Sequence, residues 1–185
     1  MKSVDQLFAE VMGIQAQRRQ PPVHLWHPQH EGVIDIVIRR DGSWWHEGKE
    51  IRRPEIVRLF SSIMRLDDDG YCLVTPVERL RIEVEDAPFV AIDLDVRAPG
   101  APEQSLLFTT NVEDYVIVEA AHPLEVVETA NGPHPYVEVR AGLRALVSRA
   151  VFYRLVDYGQ EFPGEAFAGK LWVCSSGERY CLGEL

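Results

Sequence analysis

Cysteine is scarce in this chain: Cys72, Cys174 and Cys181 are the only three, with no CxxC pair among them. An odd count without paired spacing fits reduced thiols rather than a disulfide framework, and each reads as a small buried or strand-borne hydrophobe. Long apolar runs are missing too, none approaching the roughly 18 residues of a membrane span. Residues 1–14 lack the basic start and apolar stretch of a secretory signal, so a cytoplasmic location and no membrane partner are expected. No Walker loop, GxSxG elbow, GxGxxG turn or HExxH helix occurs, which removes the better-attested signatures of NTPases, hydrolases, dehydrogenases and metalloproteases.

Positive charge is also in deficit. Against 29 acidic residues stand 19 basic ones, a formal charge of −10, and this field disfavours a DNA or RNA polymer as partner. A small phosphorylated ligand is compatible with it, because a local pair of arginines binds a phosphate against an unfavourable overall field. With 185 residues and 46% hydrophobic composition in short periodic runs, the chain is long enough to bury a core without disulfides.

The periodicities predict an α+β protein. Val4, Leu7, Phe8, Val11 and Met12 have helical spacing, and Val33–Arg40 followed by Asp41-Gly42 and Ser43–His46 reads as a hairpin. After Pro54, the positions Ile56, Leu59, Phe60, Ile63 and Met64 mark a helix with one buried face, leaving at Gly70. Six strand-like stretches follow (71–74, 81–85, 89–96, 106–109, 115–119 and 124–127), and Asn131-Gly132 turns the last into 136–139. Leu143, Leu146, Val147, Ala150 and Val151 predict a second helix, and a hairpin around Ser176-Gly177 closes the chain. Adding 87 to each number of the first helix superposes it on the second and places Arg53 on Arg140, which suggests a duplicated hairpin-plus-helix core flanking a β-rich middle. The expected organisation is a helix and polar arm over 1–31, an α+β domain over 32–85 and a β-rich domain with one main helix over 86–185.

The stretches IRRDGSWWHEGKEI, RRPEIVRLF, YCLVTPVERLRIEVEDAPFV, YVEVRAGLRALVSRAVFYRLVD and the closing SSGERYCLG together resemble the bacterial family catalogued as domain of unknown function 1285, from about Gly32 to Leu185. That resemblance implies a two-domain α+β protein with a duplicated core, a C-terminal half superficially like pleckstrin-homology folds, and no established activity. It also implies an interface between the domains that binds a nucleotide-based ligand, with a role in signal transduction.

Six residues are candidates for such a site. Arg53 and Arg140, each read as a helix start, either complete an anion site with free N–H groups or pair with carboxylates such as Glu55 and Glu138. Arg144 lies one predicted turn beyond Arg140, and it either continues a phosphate-contacting edge or belongs to a solvated face, as do Arg149 and Tyr153. Of the adjacent Trp44 and Trp45, one faces the core and the outward one could stack on a base or cover the neighbouring domain, with Trp44 taken as the base partner. By the resemblance, Thr75 and Glu78 line the interdomain cleft, where hydroxyl and carboxylate could read a ribose or base edge; the competing account is turn chemistry around Pro76.

Other constellations carry less. His24, His27 and His30 are interrupted by prolines, Asp93 and Asp95 share a strand face, and His46 with Glu78 is the one plausible acid-base pair. The expectation is therefore a non-enzymatic binder of a nucleotide-like small molecule, with no metal and no cofactor. The alternative is a protein-interaction module whose β edge or N-terminal helix docks a partner chain or a second copy.

Overall fold

The computed structural model describes residues 20–130 and 132–185. The helix expected over 1–14 and the turn residue Asn131 lie outside the described residues.

Two six-stranded sheets carry the architecture. In the first, β1 (His30–Ile38), β2 (Trp44–His46) and β3 (Lys49–Glu50) form one meander, while β4 (Met64–Asp67), β5 (Gly70–Val74) and β6 (Glu78–Val84) form another. The meanders join where β6 runs parallel to β1, with His30 opposite Glu78 and Ile38 opposite Val84. The second sheet repeats this plan with β7 (Phe89–Arg97), β8 (Ser105–Thr110), β9 (Tyr115–Ile117), β10 (Leu124–Thr129), β11 (Gly132–Arg140) and β12 (Leu143–Val147), joined by the parallel pair β12 and β7. A duplicated, mixed α+β structure is thus present.

The basis of the duplication differs from the helix register that the sequence suggests. Leu143, Ala145 and Val147 are buried while Arg144 and Leu146 are not, an alternation of period two, so 143–147 is strand β12. Only after Ser148 does the chain coil into α2 (Arg149–Val156). The first helix, α1 (Pro54–Ser62), sits between the two meanders of its sheet, whereas α2 follows the last strand of the second, and the offset of 87 aligns a helix with a strand. Arg140 consequently ends a strand rather than starting a helix.

Pro54 opens α1 with its φ already helical, behind Arg53 in extended backbone. Val57, Phe60 and Ile63 face the core. Leu59, expected on that face, is 61% exposed, and Met64 lies beyond the helix at the start of β4, where it is buried. The helix stops about two turns before the exit expected at Gly70, because the Ile63 carbonyl accepts a hydrogen bond from Val74 N–H and the chain enters the sheet as β4.

One continuous apolar cluster fills the space between the sheets, drawing Ile36, Ile38, Trp44 and Leu73 from the first half and Phe89, Leu106, Phe108 and Val137 from the second. The closing hairpin of β13 (Lys170–Ser175) and β14 (Glu178–Glu184) docks through Ser175, whose hydroxyl donates to Val118 O at 2.6 Å and accepts from Leu106 N–H at 3.0 Å. Buried Gln104 adds a second tie, donating to Cys174 O at 2.7 Å. Because the core is shared, the halves are expected to unfold together. Phe108→Ala, at a fully buried ring, is expected to cost about 3–5 kcal/mol, with one urea transition lowered equally by tryptophan fluorescence and far-UV circular dichroism. Two separated transitions would show independent halves.

Candidate functional site

The two halves meet along a seam that polar contacts line at its rim. Gly42, in the turn between β1 and β2, is held at φ +83° against the second half. A Cβ there would come within 2.6 Å of Asn111 Nδ2 and 3.0 Å of Val90 Cγ2. Only glycine accepts both the dihedral and the approach. Asn111 donates to Gly42 O at 3.2 Å and accepts from Val90 N–H at 2.9 Å, so one side chain stitches the turn to β7. Further along, Arg40 pairs with Asp86 at 3.2 Å and donates to the His134 ring at 2.8 Å, while Tyr136 donates to Asp86 at 2.7 Å.

Two hollows open along α1. The larger, about 330 Å³, is lined by Arg58, Ser61 and Ser62 of α1 and by Val112, Asp114 and Arg140 of the second half, beside Gln20 and Pro21. The smaller, about 200 Å³, lies toward the start of α1 and includes Trp44, Arg52, Pro54 and Asn111. Both are lined by Arg58 and Val112, which makes them neighbouring compartments of one seam.

Arg140 reaches across the seam to donate to the Ser61 carbonyl at 2.7 Å, held by Asp114 of its own half at 2.6 Å, with its guanidinium 5.0 Å from the centre of the Phe89 ring. Arg58 pairs with Glu113. Each cation thus already has an acidic neighbour, and an incoming anion must compete with it. The helix itself contributes unequally. Its carbonyl end, at Ser61 and Ser62, disfavours negative charge in the larger hollow, while its N–H end beside Pro54 and Arg52 favours it in the smaller.

Of the residues singled out from the sequence, Arg140 and Trp44 line the seam, on either side of Arg58. Trp44, however, is only 1% exposed and packs on Phe60 at 6.3 Å, so it offers no open face for base stacking; its indole N–H finds no partner among the described residues. The outward ring is Trp45, already covered by Arg39 at 3.7 Å. Arg53 is exposed and lines neither hollow, and the convergence of Arg53 with Arg140 does not occur. Arg144 points elsewhere, 4.7 Å over Tyr136 and 3.5 Å from Glu125. Thr75 follows its turn reading: Oγ1 accepts from Val77 N–H and Glu78 N–H, and neither Thr75 nor Glu78 lines the seam. His46 and Glu78 face opposite ends of β1, at Ile36 and His30, about 20 Å apart along the strand. Arg149 does meet Tyr153, at 3.0 Å.

The sequence reading passed over Arg58, Arg52, Ser61, Asn111 and Asp114. A signal for Arg58 exists: it is the one basic residue in α1, set among Val57, Leu59 and Phe60. Asn111 and Asp114 lie in a short loop between β8 and β9 whose place at the seam depends on pairing across the sheet, which local spacing does not encode.

A second ionic cluster sits on the first sheet. Arg65 grips Asp67 through two bonds of 2.6 and 2.9 Å, and Arg79 joins Asp67 at 2.7 Å and also pairs with Asp69. The same Arg65 donates to the carbonyls of Val23 and Trp26, pinning the entering arm to β4. These guanidiniums, Arg65 foremost, hold the Asp67 carboxyl well below the usual carboxylate range, against the opposing effect of burial. Burial, reinforced by Asp67, pushes the Cys72 thiol up to about 11, so it stays protonated and unreactive at neutral pH.

Family models match nearly the whole described chain: Domain of unknown function (DUF1285), N-terminal domain, over residues 21–87, and Protein of unknown function (DUF1285), C-terminal domain, over residues 88–182. The chain belongs to the DUF1285 family. It is similar to the crystal structure of a DUF1285 family protein from Silicibacter pomeroyi DSS-3, with 43% identity and a TM-score of 0.83 over 91% of this chain and 90% of that one. It is also similar to a DUF1285 family protein from Shewanella baltica OS155, at 28% identity and a TM-score of 0.53 over 66% of this chain and 91% of that one. No curated protein matches the chain. Among the described residues no helix is long and apolar enough to cross a membrane, and no group of histidine, cysteine and acidic residues could hold a metal ion.

The Asp67 cluster sets a pH dependence. A carboxyl whose pKa is lowered by folding stabilises the fold above its unfolded pKa, near 4, and that contribution is lost as pH falls through the folded value. Asp67→Asn is therefore expected to destabilise the protein by about 2 kcal/mol or more at pH 7, with the difference from wild type shrinking below about pH 4. Urea denaturation across that range measures it, and a difference independent of pH would refute the assignment.

Proposed function

We propose that the seam binds a nucleotide-based small molecule and that the protein acts as a non-enzymatic, cytoplasmic regulator. The observation that carries this reading is that Arg58 of the first half and Arg140 of the second line one hollow, which shares Arg58 and Val112 with a smaller neighbour. Arg58 and Arg52, beside the N–H end of α1, suit a phosphate in the smaller hollow, while Arg140 faces the larger one. Ser61, Ser62 and Asp114 then supply hydrogen-bonding groups for a base or ribose in the larger one. A phosphate that draws Arg58 from Glu113 loosens a tie between the halves, and this couples ligand to shape, the requirement of a signalling device. We also read the C-terminal half, a sheet followed by a helix, as superficially pleckstrin-homology-like. The wide separation of His46 and Glu78 supports binding without turnover.

A thermal-shift panel of nucleotides and cyclic nucleotides tests this. At about a hundred times its Kd, a ligand adds about 2.7 kcal/mol to stability, a shift of several degrees. Arg58→Ala and Arg140→Ala are each expected to weaken calorimetric binding about tenfold or more. If no nucleotide raises the midpoint, or both variants bind as wild type does, the reading is wrong.

A further inference from the structure

Sharing no lining residue with the two hollows of the seam, a groove of about 760 Å³ runs between β10, α2 and the closing hairpin. Val126, Phe152, Val156, Leu171 and Leu182 give it an apolar floor. One wall is β10, the edge of the second sheet; β14 packs near it without joining its ladder.

The direction of the β10 backbone follows from its partner. Glu138 N–H donates to Pro123 O at 3.0 Å, which fixes the even-numbered residues of β11 as those that bond toward the β10 side. In an antiparallel ladder bonded and non-bonded pairs alternate. The pairs Glu125–Tyr136 and Val127–His134 are then bonded, while Val126–Pro135 and Glu128–Pro133 are not. The prolines agree with this phase, since neither has an N–H to give to β10. The N–H and C=O groups of Val126 and Glu128 therefore point away from the sheet, and both residues line the groove. No further strand pairs with this edge of β10, and no turn or loop backbone group among the described residues bonds to Val126 or Glu128.

Charge selects the occupant. Glu128 and Glu184 border the groove with Lys170 as the opposing cation, and Lys170 already stands opposite Glu184 in the hairpin. With Lys170 offsetting Glu184, Glu128 is the uncompensated charge, and this carboxylate on the β10 edge, beside an apolar floor and outward backbone groups at every second residue, is complementary to an extended chain with alternating apolar and basic side chains. We infer that this groove is a peptide-docking site, in which an extended basic-apolar segment of a partner protein adds a strand to β10.

The probe is a short peptide of alternating lysine and valine, compared with its backbone N-methylated form and with a glutamate-valine counterpart. The lysine-valine peptide is expected to bind the full chain, to slow hydrogen exchange at the Val126 and Glu128 amides, and to weaken as salt rises. Both comparison peptides are expected to bind at least about tenfold less tightly. Glu128→Pro removes one outward N–H without touching the β10–β11 ladder and is expected to abolish binding, while Glu128→Gln retains the backbone donor and loses only the salt-dependent part. Equal binding of the N-methylated peptide, binding with no protection at those two amides, or no binding of the lysine-valine peptide at about 1 mM overturns the inference. Nucleotide-induced thermal shifts at the seam are expected to be the same in Glu128→Pro and wild type, so failure here and failure of the seam reading are separable.

Discussion

Among the described residues each half has one sheet face to bury and one short α-helix with which to bury it, and that shortage governs the rest. Neither α1 nor α2 exceeds nine residues, far too little to cover six strands. The apolar faces must cover one another, and the continuous cluster from Ile36 to Leu182 results. A sheet face left to water would forfeit roughly 25 cal/mol for every Å² it exposed. The seam is therefore the interior of the protein, reaching the surface only at its rim.

That origin explains the character of the rim. Where the shared core ends, charged side chains close the gap: Arg140 to Asp114, Arg58 to Glu113, Arg40 to Asp86. Such pairs add little net stability because desolvation offsets much of the attraction. Their strength is geometric: Arg58 reaches Glu113 and Arg40 reaches His134 across the seam, Arg140 does so through the Ser61 carbonyl while Asp114 of its own half holds its guanidinium, and the hollows beside α1 are the space left between these struts. The tight fit of Gly42 against Asn111 and Val90 works likewise, by shape rather than charge.

Most strands were legible because an alternating pattern and a turn residue mark them locally; the β1–β2 hairpin through Asp41-Gly42 and the closing hairpin through Ser176-Gly177 are examples. The second helix was misplaced because Leu143, Val147 and Val151 are spaced by fours, which suits a strand that becomes a helix as well as one long helix. Burial of Ala145 resolves it, and burial is a property of the assembled sheet. The site was half legible for the same reason. Arg140 and Trp44 could be picked by residue type, but their meeting at Arg58 depends on how two sheets face each other, and Arg53, chosen for its position in sequence, is carried out to solvent.

Each sheet is completed by pairing its first strand with its last, His30 beside Glu78 and Phe89 beside Ala145. During vectorial synthesis the first sheet can close once β6 leaves the ribosome, yet its apolar face has no cover until nearly the whole second sheet has followed. The nascent chain thus passes through a stage with a finished but uncovered sheet, the kind of surface that recruits chaperones. Its yield in the cell is then governed by the pace of translation through the second half as well as by the stability of the finished fold.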